Sequence, residues 1–126
     1  MRISLCNEVL AEFDFARQCD IAAKLGYDGL EVAPSTLGEE PHLLSDARKR
    51  ELRQMAEDAG APVTGLHYLL VAPKGLSITS LDPAVRARTV DVIRRFIALA
   101  HDLGGKIIVH GSPAHRRLEP GHEEAG

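Results

Sequence analysis

Four short apolar runs, separated by stretches with helical spacing, restrict this chain to a small set of folds. The runs are residues 3–6, 29–33, 63–67 and 106–110. Between the first two, Phe15, Cys19, Ala22 and Ala23 share one face of a predicted helix over 14–25, with Asp14 as N-cap and Gly26 as its stop. A second helix over 46–59 opens at Ser45 and closes at Gly60. It buries Leu52, Met55, Ala56 and Ala59 and turns Arg48, Lys49, Glu51 and Arg53 to water. The third, over 83–103, starts at the pair Asp82-Pro83, an acid cap followed by proline at the first helical position. Val85, Thr89, Val92, Ile93, Phe96, Ile97, Ala100 and Leu103 form its broad apolar face, and Gly104-Gly105 ends it. Residues 120–125 read as the opening of a fourth helix.

The order βαβαβαβ implies a parallel α/β sheet, because each return to a parallel neighbour needs a crossover, here a helix. A doubly wound open sheet and a (β/α)8 barrel both satisfy it. The loops favour the barrel. A nucleotide-binding open sheet places a glycine-rich turn after its first strand, whereas this strand runs into Cys6-Asn7-Glu8-Val9-Leu10, and neither GxGxxG nor GxxxxGK[ST] occurs. A polar or ionisable residue recurs instead at the carboxyl end of each strand: Asn7, Glu31, His67 and His110. Barrel active sites are built at that face. A complete barrel takes ~250 residues, so the 126 residues here form one partial domain, half of a TIM barrel with four strands, three helices and the start of a fourth.

Charge narrows the function classes. Fifteen basic residues against eighteen acidic ones leave a net charge of −3, without the basic excess of a protein that tracks nucleic-acid phosphates. No run approaches the ~18 apolar residues of a membrane helix. The start has no signal-peptide character, and two cysteines, Cys6 and Cys19, make neither a disulfide framework nor a CxxC site. A cytoplasmic protein with small buried thiols is the expectation.

His67 and His110 end successive strands, and parallel strands lie only ~4.8 Å apart. Imidazole ligates metals and moves protons near neutral pH, so the pair is a candidate metal or proton-transfer site. Strand-end histidines also serve as hydrogen-bonded structural residues, and no sequence-local carboxylate or HExxH spacing completes a ligand set. Glu31 on the same rim is suited to a sugar hydroxyl or to an ion pair. The apolar segment 68–72 suits either a pocket wall or the buried lip of the barrel, and Lys74 either a phosphate or solvent.

The segments LEVAP, PVTGLHYL and LDPAVRARTVDVIRRFIALAHDLGGKIIVHGSP, together with the opening strand, resemble the xylose isomerase-like TIM-barrel superfamily over about residues 1–124. That group includes sugar-phosphate isomerases and epimerases, polyol dehydratases and type IV apurinic endonucleases. The resemblance implies a sugar or sugar-phosphate isomerase or epimerase, with proton transfer next to a carbonyl and a divalent metal (Mn, Mg, Co or Zn) in the complete barrel. It implies substrate-binding roles for Glu31, His67 and His110, and it makes His67 and His110 metal ligands in the endonuclease branch. The family's catalytic carboxylates lie on strands five to eight, beyond this chain, so its catalytic residues stay unassigned. Alternatives sharing the same front half are an abasic-site endonuclease relative, a polyol dehydratase, and a non-catalytic half-barrel acting as an assembly module. Half a barrel exposes two strand edges and an apolar inner face, which calls for a homodimer, a complementing half-barrel, or a truncated product.

Overall fold

The computed structural model describes residues 1–118, 120 and 121. Its elements are β1 (Ser4–Cys6), α1 (Phe15–Lys24), β2 (Gly29–Val32), α2 (Asp46–Asp58), β3 (Val63–His67), α3 (Pro83–Asp102) and β4 (Ile107–Val109). Short 3-10 turns follow β1 at Asn7–Leu10, β2 at Pro34–Leu37 and Pro41–Leu43, and β4 at Pro113–Arg116. The four strands form one parallel sheet in the order β1-β2-β3-β4. That sequential order, with a helix in each crossover, is the arrangement of half a TIM barrel.

Local chemistry fixes the helix starts. Asp14 accepts a hydrogen bond from the Arg17 amide at 2.8 Å, Ser45 from that of Arg48 at 3.2 Å, and Asp82 from that of Ala84 at 2.8 Å. Each satisfies one amide that the first helical turn leaves without a partner. Gly104, just past the end of α3, sits at φ +89°, a left-handed conformation that a Cβ would strain.

The core lies between the sheet and the helices. Leu30, Val32 and Leu66 from the sheet meet Cys19 and Ala22 of α1, Leu52 and Ala56 of α2, and Val92, Phe96 and Leu99 of α3. Leu69 and Leu70 join it from the loop after β3, so this part of the 68–72 segment is buried lip. Gly65 lets β4 come close: a Cβ there would stand 2.4 Å from the Ile107 carbonyl oxygen. Lys49, expected on a solvent face, instead bridges α2 to α3 through Asp102 at 2.9 Å. Burial and the Lys49 ammonium act oppositely on the Asp102 carboxyl, and the hydrogen bond from Lys49 prevails, lowering its pKa.

One sequence expectation needs correction here. Ile97 is 56% exposed and lies off the buried face of α3. The inner face is exposed, as expected of half a barrel: Ile107 and Val109 of β4 are 57% and 46% exposed. Side chains alternate across a strand, so only Ile108 of β4 packs against the core. The inner face of the half-barrel is open, with a hollow of about 410 Å3 lined by Ser4, Glu31, Thr64 and Ile107. The expected opening of a fourth helix falls mostly outside the described residues, as does His122.

Candidate active site

Strand register gathers side chains from the first three strands at the carboxyl end of the sheet. Cys6 pairs with Glu31 across β1 and β2, and Glu31 pairs with Gly65 across β2 and β3. His67, two residues beyond Gly65 and therefore on the same face, stands over Glu31. Its Nδ1 lies 3.8 Å from Glu31 Oε2. On the other side of the ring, Nε2 lies 3.1 Å from Oε2 of Glu8, which the 3-10 turn after β1 projects toward it. The His67 side chain is 8% exposed, against 25% for Glu31 and 41% for Glu8. An imidazole buried between two carboxylates is thus the centre of the site.

Cys6 completes the group. Its thiol donates to Glu31 Oε2 at 3.4 Å, and burial, that hydrogen bond and the nearby carboxylates push the thiol's pKa up. Cys6 is therefore half-buried and in the polar cluster, not the inert core thiol expected from its apolar flanks. Cys19 does match that expectation: it is fully buried in the core, with its pKa pushed up to about 11 chiefly by desolvation.

The other two rim residues behave differently. Asn7 is fully buried and turns away from the site. It donates to Gln18 Oε1 at 3.0 Å and Thr36 Oγ1 at 2.7 Å, and accepts from the Ala33 amide at 2.8 Å. It is a structural joint between β1, α1 and the loop after β2. His110 follows β4, with its Nε2 buried and without a hydrogen-bond partner. Burial lowers its pKa, and Arg116 and His115 push it further down. It takes no part in the one group of three or more metal-ligating side chains among the described residues, which consists of Cys6, Glu31 and His67.

Glu8 and Cys6 are the members that sequence reasoning missed. Both lie at the end of β1, so the strand-end rule that singled out Asn7 also reaches them. The choice among three consecutive residues depends on which way the following turn winds. Lys74 lies elsewhere, with Glu39, Glu40 and Arg88 around a cleft of about 650 Å3 between the loops after β2 and β3. Val71 and Ala72 wall that cleft. Two acids against two bases there give no net preference for a phosphate.

The family model described as xylose isomerase-like TIM barrel matches residues 19–125. Among solved structures, a D-psicose 3-epimerase crystallised in the presence of D-fructose is similar with a TM-score of 0.68 and 25% identity, over 86% of this chain and 36% of that one. The 3-keto-D-glucoside 4-epimerase YcjR from E. coli shares the fold, with a TM-score of 0.64 and 19% identity over 86% and 36% of the two chains. The chain thus spans about a third of the length of each of these structures. With the strand order, the helical crossovers and the strand-end polar cluster all in place, this chain belongs to the xylose isomerase-like TIM-barrel family.

Proposed function

We propose that this chain forms one wall of the active site of a sugar or sugar-phosphate isomerase or epimerase, a divalent-metal-dependent enzyme that moves a proton next to a carbonyl. The observation carrying this reading is the buried His67 held between Glu8 and Glu31 at the carboxyl end of a half-barrel. A carboxylate beside an imidazole fixes the ring and favours its proton on the facing nitrogen. His67 is in this way held over Glu31 by Glu8, and Glu31 is placed to accept a hydrogen bond from a substrate hydroxyl. His110, at the end of the next strand, extends the same rim and is suited to bind substrate in its neutral form.

A divalent metal in such a site polarises substrate oxygens and so acidifies the neighbouring carbon. The donor set of Cys6, Glu31 and His67 fits a metal, because His67 Nδ1 is buried without a hydrogen-bond partner. What this chain's residues do themselves is orient hydroxyls, hold a proton on His67 and keep that ring away from bulk water.

The open inner face, with Ile107 and Val109 exposed, supports a partner for this wall: further strands of a longer chain, a second copy, or a complementing half-barrel. The net charge of −3 weighs against the abasic-site alternative. No helix among the described residues is long and apolar enough to cross a membrane, in keeping with a cytoplasmic setting.

The test is exchange of the proton next to the carbonyl in deuterium oxide, followed by NMR over a panel of ketoses and their phosphates with Mn2+, Mg2+, Co2+ or Zn2+ added. The reading expects exchange or saturable sugar binding for at least one ketose, lost in His67→Gln. Absence of both across the panel, in a folded sample with its partner strands present, would refute it.

A further inference from the structure

The geometry around Glu31 Oε2 carries a more specific conclusion. Cys6 Sγ lies 3.4 Å from that oxygen and His67 Nδ1 3.8 Å from it, and the three atoms all lie within 4.8 Å of one another. Around a tetrahedral zinc ion, with bonds of ~2.3 Å to sulfur and ~2.0–2.1 Å to nitrogen or oxygen, ligand atoms stand roughly 3.3–3.5 Å apart. Modest side-chain movements therefore close this set on an ion.

A second, independent observation concerns the tautomer of His67. Its Nε2 faces Glu8 Oε2 at 3.1 Å. A carboxylate only accepts hydrogen bonds, so the ring proton of the neutral imidazole belongs on Nε2. Nδ1 is then a bare lone pair, buried and without a hydrogen-bond partner, and its 3.8 Å to Glu31 is too long for a hydrogen bond. Metal-bound histidines show this arrangement: one nitrogen on the ion, the other donating to an outer carboxylate that sets the ring.

We propose that Cys6 Sγ, Glu31 Oε2 and His67 Nδ1 form a binding site for a borderline-soft divalent ion, zinc or cobalt(II), with Glu8 as the outer carboxylate that positions His67. The thiolate and the imidazole select such an ion over magnesium or calcium, which prefer all-oxygen sites. Three protein ligands leave a fourth position open, the pattern of zinc centres that bind water or substrate. On binding, the Cys6 S–H bond breaks and its proton leaves to solvent. The hydrogen bond to Glu31 is lost, and sulfur and carboxylate oxygen both coordinate the ion.

The test is titration of the chelator-treated chain with Co2+ alone, without sugar, so that its outcome and that of the ketose test stand separately. The expected result is a thiolate-to-cobalt charge-transfer band in the near ultraviolet, with visible bands of tetrahedral intensity, all displaced by Zn2+. Cys6→Ser abolishes the charge-transfer band, whereas Cys19→Ser, altering the core thiol, retains it. Glu8→Ala weakens Zn2+ binding by about 10–100-fold, and Glu8→Gln, which keeps an acceptor, recovers most of the loss. Alkylation of Cys6 in the unaltered chain gives a reading that needs no variant: Zn2+ slows it and Mg2+ does not. Absence of the band in the unaltered chain, its persistence in Cys6→Ser, or equal protection by Mg2+ would overturn the assignment.

Discussion

Asn7 offers a sharp test of how the site is held. In Asn7→Ala the Ala33 amide loses its acceptor and Gln18 Oε1 loses its donor, in surroundings where Asn7 and Ala33 are both fully buried. Thr36 loses the hydrogen bond it accepts from Asn7 but still donates to the Ala33 carbonyl at 2.8 Å. A buried amide without an acceptor costs ~1–3 kcal/mol, and each further hydrogen bond forgone about 1 kcal/mol. The space left by the amide adds about 1 kcal/mol. The sum is about 4–6 kcal/mol, a large fraction of the ~5–15 kcal/mol typical of a domain. Thr36→Val removes one acceptor of an amide group that keeps Gln18 as its other partner, and the cost falls to about 1–2 kcal/mol. Urea unfolding followed by far-ultraviolet circular dichroism measures both, with an unchanged slope expected because the surface exposed on unfolding stays the same. If Asn7→Ala lies within about 1 kcal/mol of the unaltered chain, or Thr36→Val costs as much as Asn7→Ala, the joint does not work as described.

Further expectations rest on separate features. Gly65→Ala places a Cβ 2.4 Å from the Ile107 carbonyl oxygen. Strand β4 must move away, and amide exchange along β3 and β4 should rise well above that of β1 and β2. Thr89, fully buried in α3, accepts from the Ser77 amide at 2.9 Å. Thr89→Val keeps its shape but leaves that amide unpaired, for a loss of about 1–3 kcal/mol in urea unfolding. Burial lowers the pKa of both His42 and His110 from the ordinary 6.5. Their contribution to stability is whole above 6.5 and is lost as pH falls through the lowered values. Thermal melts at descending pH should show that decline, and the double change His42→Gln, His110→Gln should flatten it. The hydrogen bond from Lys49 lowers the pKa of Asp102, so that bond's contribution is present above the ordinary carboxylate value of 3.8 and fades as pH falls below it. With Asp102 38% exposed, solvent screening limits Lys49→Met to under about 1 kcal/mol at neutral pH.

The three helices and four strands were legible because their signals are local. Asp14, Ser45 and Asp82 cap the helices they were expected to cap, and the parallel order follows from the crossovers. The family resemblance was legible too, in segments that pair strand ends with helix stops. The exposed inner face was legible from the count of strands, but which apolar residues lie on it was not: Ile107 and Val109 of β4 face that side and Ile108 the core. The polar cluster was half legible. Glu31 and His67 announce themselves as ionisable residues at strand ends, but their meeting with Cys6 depends on register, which shifts between Leu30 and Glu31 of β2. Glu8 reaches His67 only because the chain winds into a 3-10 turn after Cys6. That same turn carries Asn7 inward, and no periodicity in the sequence distinguishes the two directions.

The sequential strand order has a consequence for synthesis. Each of β2, β3 and β4 pairs with the strand made just before it, so once β2 has been made every new strand emerges beside a partner already in place. Domains emerge at ~5–20 residues per second, slow beside the ~0.1–1 μs in which a helix forms. The sheet can therefore be laid down one βα unit at a time. The strand last made is at each moment the exposed edge, and β4, with Ile107 and Val109 exposed, is the last of the four.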